Sequence, residues 1–145
     1  MMKKFALTLA VFAACVAPQA QARDTVLHIP LADVLAMPEA QSKLDGSVKF
    51  FLAEQATPKV LKTLGGDTAH DQTNGVGKSD DFGCKWAALS SLIKLQNKAK
   101  QAGANAVVDI TSGRSGFKDG TNFECNAGAI IIRVAIKGTY AKIAD

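Results

Sequence analysis

Two cysteines, Cys84 and Cys125, are all that remain once an N-terminal leader is removed, and their pairing limits the fold more than any other feature of the chain. Lys3 and Lys4 form a basic n-region, residues 5–16 an apolar stretch, and Ala20-Gln21-Ala22 a small-residue exit, which together predict a signal peptide over 1–22. The apolar stretch is too short for a bilayer, which takes roughly 20 residues. Cleavage between Ala22 and Arg23 leaves a mature chain from Arg23 to Asp145. The competing reading is a lipoprotein acylated on Cys15. There, Phe12 stands where a lipobox usually has Leu, and the Ala-x-Ala exit would go unused. Export carries the chain to an oxidising compartment, the periplasm, where two cysteines read as one intramolecular disulfide. The alternative is a redox-active or metal-binding pair, for which no Cys-x-x-Cys spacing is present.

The 123 residues left of 145 suit a single domain, 23–145, with a modest core. Losing Lys3 and Lys4 takes the formal net charge from +4 to +2. The other basic residues are scattered, and the cluster Lys94, Lys98 and Lys100 reads as the solvated face of a helix. Nucleic acid is therefore not an expected partner. Nothing after Ala22 resembles a membrane span, no sequence repeat appears, and no Pro- or Ser-rich linker divides the chain.

Alternation over 24–29 predicts a strand closed by Pro30, and Leu31, Val34 and Leu35 a short helix interrupted near Pro38. A strand over 47–53 follows, with 59–64 as its hairpin partner, extended by a bulge at Gly65-Gly66. Residues 68–77 are polar and glycine-rich and read as a loop or a frayed strand end. Ser79 is the expected N-cap of a long helix opened by Asp80, Asp81 and Cys84 and stopped by Gly103. Its apolar stripe is read through Phe82, Trp86, Leu89 and Ile93, then Leu92, Gln96 and Ala99. A strand over 106–110, a loop marked by Gly113, Gly116 and Gly120, and a last apolar strand over 127–137 complete the chain, with a bend at Gly138. The expected fold is α+β: a largely antiparallel sheet of four or five strands, one long helix packed on one face, and a single disulfide from the first helical turn to the start of the final strand.

Chemistry is sparse. His28 and His70 sit in no ligand spacing, and a site of His70, Asp67 and Asp71 competes with a plain solvated loop. Asp80 and Asp81 read as compensation of the helix dipole rather than as paired catalytic carboxylates. Trp86 lies on the stripe and reads as core. Ser90, Ser91 and Ser112 have no partnered base in any motif. The segment Gln72-Thr73-Asn74-Gly75-Val76-Gly77-Lys78-Ser79 ends like a phosphate-binding loop but lacks its first glycine and its leading apolar strand. No catalytic residue, cofactor or metal ligand set is expected, and the chain is not read as an enzyme.

Val48-Lys49-Phe50-Phe51, Lys78-Ser79-Asp80-Asp81, Cys84, Ala104-Asn105-Ala106-Val107-Val108 and Glu124-Cys125-Asn126-Ala127-Gly128-Ala129 resemble a group of small exported bacterial proteins, over nearly the whole mature chain. Members often carry the label "excinuclease ATPase subunit", which the broken phosphate loop and the absence of a zinc-type cysteine array contradict here. A helix rich in Ala and Leu, then Gly-Ala-Asn-Ala-Val-Val, a variable loop and a final strand is similar to the YbjQ-like heavy-metal-binding domains. It also resembles the outer-membrane lipoprotein that senses envelope damage for the Rcs phosphorelay, in which cysteines at matching places pair. That sensor's second disulfide has no counterpart in this chain. The resemblances imply two readings. The first is a non-enzymatic periplasmic binding or interaction protein serving envelope homeostasis, with an envelope protein or small ligand as partner and loops 68–77 and 113–122 facing it. The second is a metal- or small-ligand-binding homo-oligomer of the YbjQ-like kind, using His70, Asp67, Asp71 or the cysteines.

Overall fold

Alternating side chains build β1 (Asp24–Pro30), and Pro30 delivers the chain directly into α1 (Leu31–Leu35). The computed structural model describes residues 22–145, so the expected leader up to residue 21, with Cys15, lies outside the described residues. Pro38 does more than interrupt the helical stretch. Its fixed φ and missing amide suit a first helical turn, and it starts α2 (Pro38–Lys43). β2 (Lys49–Leu52) follows where expected.

The next strand departs from the sequence reading. β3 (Val60–Asn74) runs for 15 residues and includes most of the segment expected as a loop. Its polar residues alternate between two environments. Asp67 and Asp71 reach the following helix and Ala69 enters the core, whereas His70 and Gln72 are exposed. Nor is β3 a hairpin partner of β2: it pairs antiparallel with the last strand, from Val60↔Ile143 to Asn74↔Ile131. A long apolar partner supplies the ladder that local sequence does not advertise.

α3 (Asp80–Gln101) is capped as its sequence dictates. Ser79 Oγ accepts the amide of Phe82 at 3.2 Å, Asp80 and Asp81 occupy the first turn, and Gly103 follows with φ +77°. The buried side of α3 runs through Cys84, Ala88, Leu92, Leu95 and Ala99. Phe82 is 45% exposed and stacks on half-buried Trp86, so these two flank the core rather than fill it.

β4 (Ala106–Ser112), β5 (Asn122–Gly128) and β6 (Ile131–Ile143) finish the chain. Cys125 lies in the middle of β5, not at the start of the last strand. The apolar run is cut by a turn at Gly128, where an added Cβ would stand 2.8 Å from the Ile131 carbonyl oxygen. The turn itself carries Ile130, 67% exposed, and so looks like strand in sequence.

Among the described residues the sheet has six strands, in the order β1-β5-β6-β4-β2, with β3 also on β6. β5 takes the N-terminal part of one β6 edge and β4 the C-terminal part, while β3 runs along the other. Every pairing is antiparallel except β2 with β4, which is parallel, so the sheet is mixed. α3 lies on the face carrying Ile132, Val134, Ile136 and Tyr140 of β6 and Phe123, Cys125 and Ala127 of β5. The Cys84–Cys125 disulfide, with a Cα–Cα distance of 5.8 Å, is buried in that layer. Among the described residues no helix is long and apolar enough to cross a membrane.

Candidate functional site

Because side chains alternate across a sheet, every strand that feeds the helix-covered core also presents residues on the opposite face. On that outer face the register sets Val26, Asn126, Arg133 and Gln72 in one row across β1, β5, β6 and β3. A second row holds His28 opposite Glu124, and His70 opposite Ala135.

Loop 113–121 lies over this face and is held at several points. The Gly113 amide donates to the Ala135 carbonyl at 2.8 Å, and a Cβ on Gly113 would stand 2.5 Å from Thr68 Cγ2. Only glycine lets the loop lie this close to the strands. Ser115 and Ser112 hydroxyls donate to Glu124 Oε1 at 2.7 and 3.3 Å. The Phe117 ring stacks on His28 with centroids 4.3 Å apart. At the loop's end Asp119 accepts from the amides of Gly120 and Asn122 and from Asn122 Nδ2, at 2.8, 2.9 and 2.6 Å.

Those bonds, the Asn122 side chain first, hold the Asp119 carboxyl below its ordinary range. A carboxylate depressed on folding adds stability that is complete above its unfolded value and disappears as pH falls through the lowered one. The loop's end is therefore expected to stay ordered through pH 4 and to loosen only in stronger acid. Carbon-13 titration of the Asp119 carboxyl checks this, and a midpoint at the ordinary value of 3.8 would contradict it.

Between loop, β3 and β6 lies an open cleft of about 320 Å³, lined by His70, Gln72, Arg114 and Arg133 over Val134 and Ala135. The Arg114 amide donates to Ser112 Oγ at 3.3 Å. Among the described residues neither Arg114 nor Arg133 has an acidic partner. Asp71 also borders the cleft, but its carboxylate bonds Lys94 at 2.9 Å and Ser91 at 3.3 Å on the helix side. Glu124 accepts the two serines and lies 3.9 Å from His28 Nε2.

The sequence candidates disperse. His28 and His70 lie at opposite margins of the outer face, and Asp67 and Asp71 turn away from His70 toward Lys98 and Lys94. Among the described residues no three His, Cys, Asp or Glu side chains are placed to hold a metal ion. Lys94, Lys98 and Lys100 are not a free basic face, being paired with Asp71, Asp67 and Asp45. Lys94 also donates to the His70 carbonyl at 3.3 Å, which helps cover an otherwise open strand edge. Asp80 is gripped by both Arg23 guanidinium nitrogens at 2.8 and 2.9 Å, and Asp81 by Lys85 at 2.9 Å. Ser90 donates to the Trp86 carbonyl, Ser91 to Asp71 and Ser112 to Glu124, so among the described residues none of the three bonds a histidine.

Loop 113–121 was legible, and the stretch read as a second loop supplies His70 and Gln72 from a strand. The two arginines were not singled out in sequence. The available signal was Arg133, a lone charge inside the most apolar strand. No protein-family model matches this chain, and no curated protein matches it.

Proposed function

We propose that this chain is a non-enzymatic periplasmic binding module whose working surface is the outer face of the sheet under loop 113–121. One face of the sheet is occupied by α3 and the core, and a second buried cluster of Ala106, Val108, Ala141 and Ile143 closes part of the other, so the part open to a partner is the end beside loop 113–121. The observation that carries the reading is the cleft itself. Two arginines without carboxylate partners among the described residues border it, while the helix lysines Lys85, Lys94, Lys98 and Lys100 are all paired. Positive charge left uncompensated in a concavity is available to a ligand or partner. The buried disulfide fits an exported protein, and a role in envelope homeostasis agrees with the resemblance to exported envelope proteins. The metal-binding alternative has no convergent ligand set among the described residues to support it.

The test is site-specific photo-cross-linking in cells exporting the protein. A cross-linker replacing exposed Lys118 on the loop should yield discrete adducts, and one replacing exposed Asn97 on α3 should not. Adducts from neither position, or equally from both, would refute an outer-face surface for a macromolecular partner.

A further inference from the structure

We infer that the cleft between β3, β6 and loop 113–121 is a binding site for a phosphate-class oxyanion, gripped by the Arg114 and Arg133 guanidinium groups with His70 and Gln72 as flanking donors. The inference rests on the outer-face reading above and adds the chemistry of the ligand.

Four lining side chains can donate hydrogen bonds, and the bordering carboxylate, Asp71, is bonded away on the helix side. Glu124 is held by the Ser112 and Ser115 hydroxyls and stands beside His28 on β1. A planar guanidinium presents a fork that matches two phosphate oxygens at once. Charge selects among oxyanions. A phosphate monoester carries about −1.5 to −2 at neutral pH, matching two guanidinium groups, whereas a carboxylate leaves one unbalanced.

Position favours binding as well. Arg133 stands on a strand paired on both edges, and Arg114 on a loop fixed at Gly113, Ser115, Phe117 and Asp119. Both side chains start from anchored backbones, so less order remains to be imposed on binding. At about 320 Å³ the cleft falls at the small end of ligand pockets. It is open to solvent, so the remainder of a larger molecule can project outward. The phosphate can therefore come from a soluble ester or from a lipid headgroup.

The experiment titrates the mature protein with inorganic pyrophosphate at constant ionic strength, followed by amide NMR. In parallel, flotation uses vesicles of anionic phospholipid against vesicles of neutral phospholipid. Saturable shifts are expected at residues 70–72, 113–115 and 133–135. Arg114→Gln and Arg133→Gln should each weaken binding about tenfold, and Arg133→Lys should restore only part of it. Lys137→Gln removes the same charge from the same strand outside the cleft and should change affinity less than twofold. Well-dispersed spectra verify that each variant is folded.

Pyrophosphate binding alone supports a soluble source, and added arginine-dependent flotation on anionic vesicles supports a headgroup. Absence of saturable shifts together with absence of arginine-dependent flotation overturns the inference. So does an equal loss in Lys137→Gln, which would mean diffuse charge attraction. If Lys118 cross-links persist while both anion assays fail, the oxyanion site is refuted and the interaction surface stands. Oxyanion binding without cross-links would retain the site and refute the partner reading.

Discussion

Replacing Cys84 and Cys125 together by alanine is expected to lower stability by about 4 kcal/mol, the chain-entropy value for closing a loop across a sequence separation of 41. For a domain of this size that corresponds to a fall in Tm of roughly 15 °C. Both cysteines are fully buried, so alanine also removes packing atoms from the layer beneath α3. The loss should be uneven. Among the described residues β5 pairs with β6 only over Cys125–Ala127, and β1 is joined to the sheet through β5 alone. The disulfide is thus a principal tie between this two-stranded arm and α3, whereas β3 and β6 share a ladder along nearly their whole length. Hydrogen exchange in the variant should show β1 and β5 amides opening well before those of β3. The cleft should suffer too, because Glu124 and His28, which hold loop 113–121, belong to that arm. Calorimetry of oxidised and double-alanine proteins measures the total. A difference below about 1 kcal/mol would mean that the arm is held by something other than the disulfide.

What the sequence disclosed depended on whether the determining forces were local. Ser79, the two aspartates after it and Gly103 bracket α3 through bonds made within a turn or two, and those positions were readable. The cysteines were readable because two of them after an expected leader leave one pairing. β3 was not, because its polar stretch becomes a strand only when β6, some sixty residues later, supplies the ladder. The parallel β2–β4 pairing has the same origin in distant sequence, with α3 serving as the crossover. At Gly128 the obstacle was different: a turn containing Ala129 and Ile130 has no polar signature, and its necessity lies in a close approach between backbones. The cleft combined both difficulties. Arg114 and Arg133 are separated in sequence by a loop end, a strand and a turn, and only the register of β5, β6 and β3 brings them to one concavity.

The buried face of α3 separates two readings of the same helix by a large energy difference. A stripe through Phe82 and Trp86 would place those rings in the core and make Phe82→Ala cost about 3 kcal/mol or more. The structure buries Leu89, Leu92, Gln96 and Ala99 of that stripe but turns its start onto Cys84 and Ala88, leaving Phe82 45% exposed and Leu92 fully buried. Small residues at Ala87, Ala88 and Ala99 let the helix approach the sheet, where Ile132, Val134 and Ile136 complete the same core. Leu92→Ala should therefore cost about 3 kcal/mol, the lost burial plus a cavity that rigid surroundings only partly close. Phe82→Ala should cost about 1 kcal/mol, little more than its stacking on Trp86. Denaturant unfolding of the two variants beside the parent decides the order. The same measurement bears on the disulfide, since the face that buries Leu92 also carries Cys84 to Cys125. If Phe82→Ala proved as damaging as Leu92→Ala, that face would be misassigned, and α3 could not hold the arm that anchors the loop over Arg114.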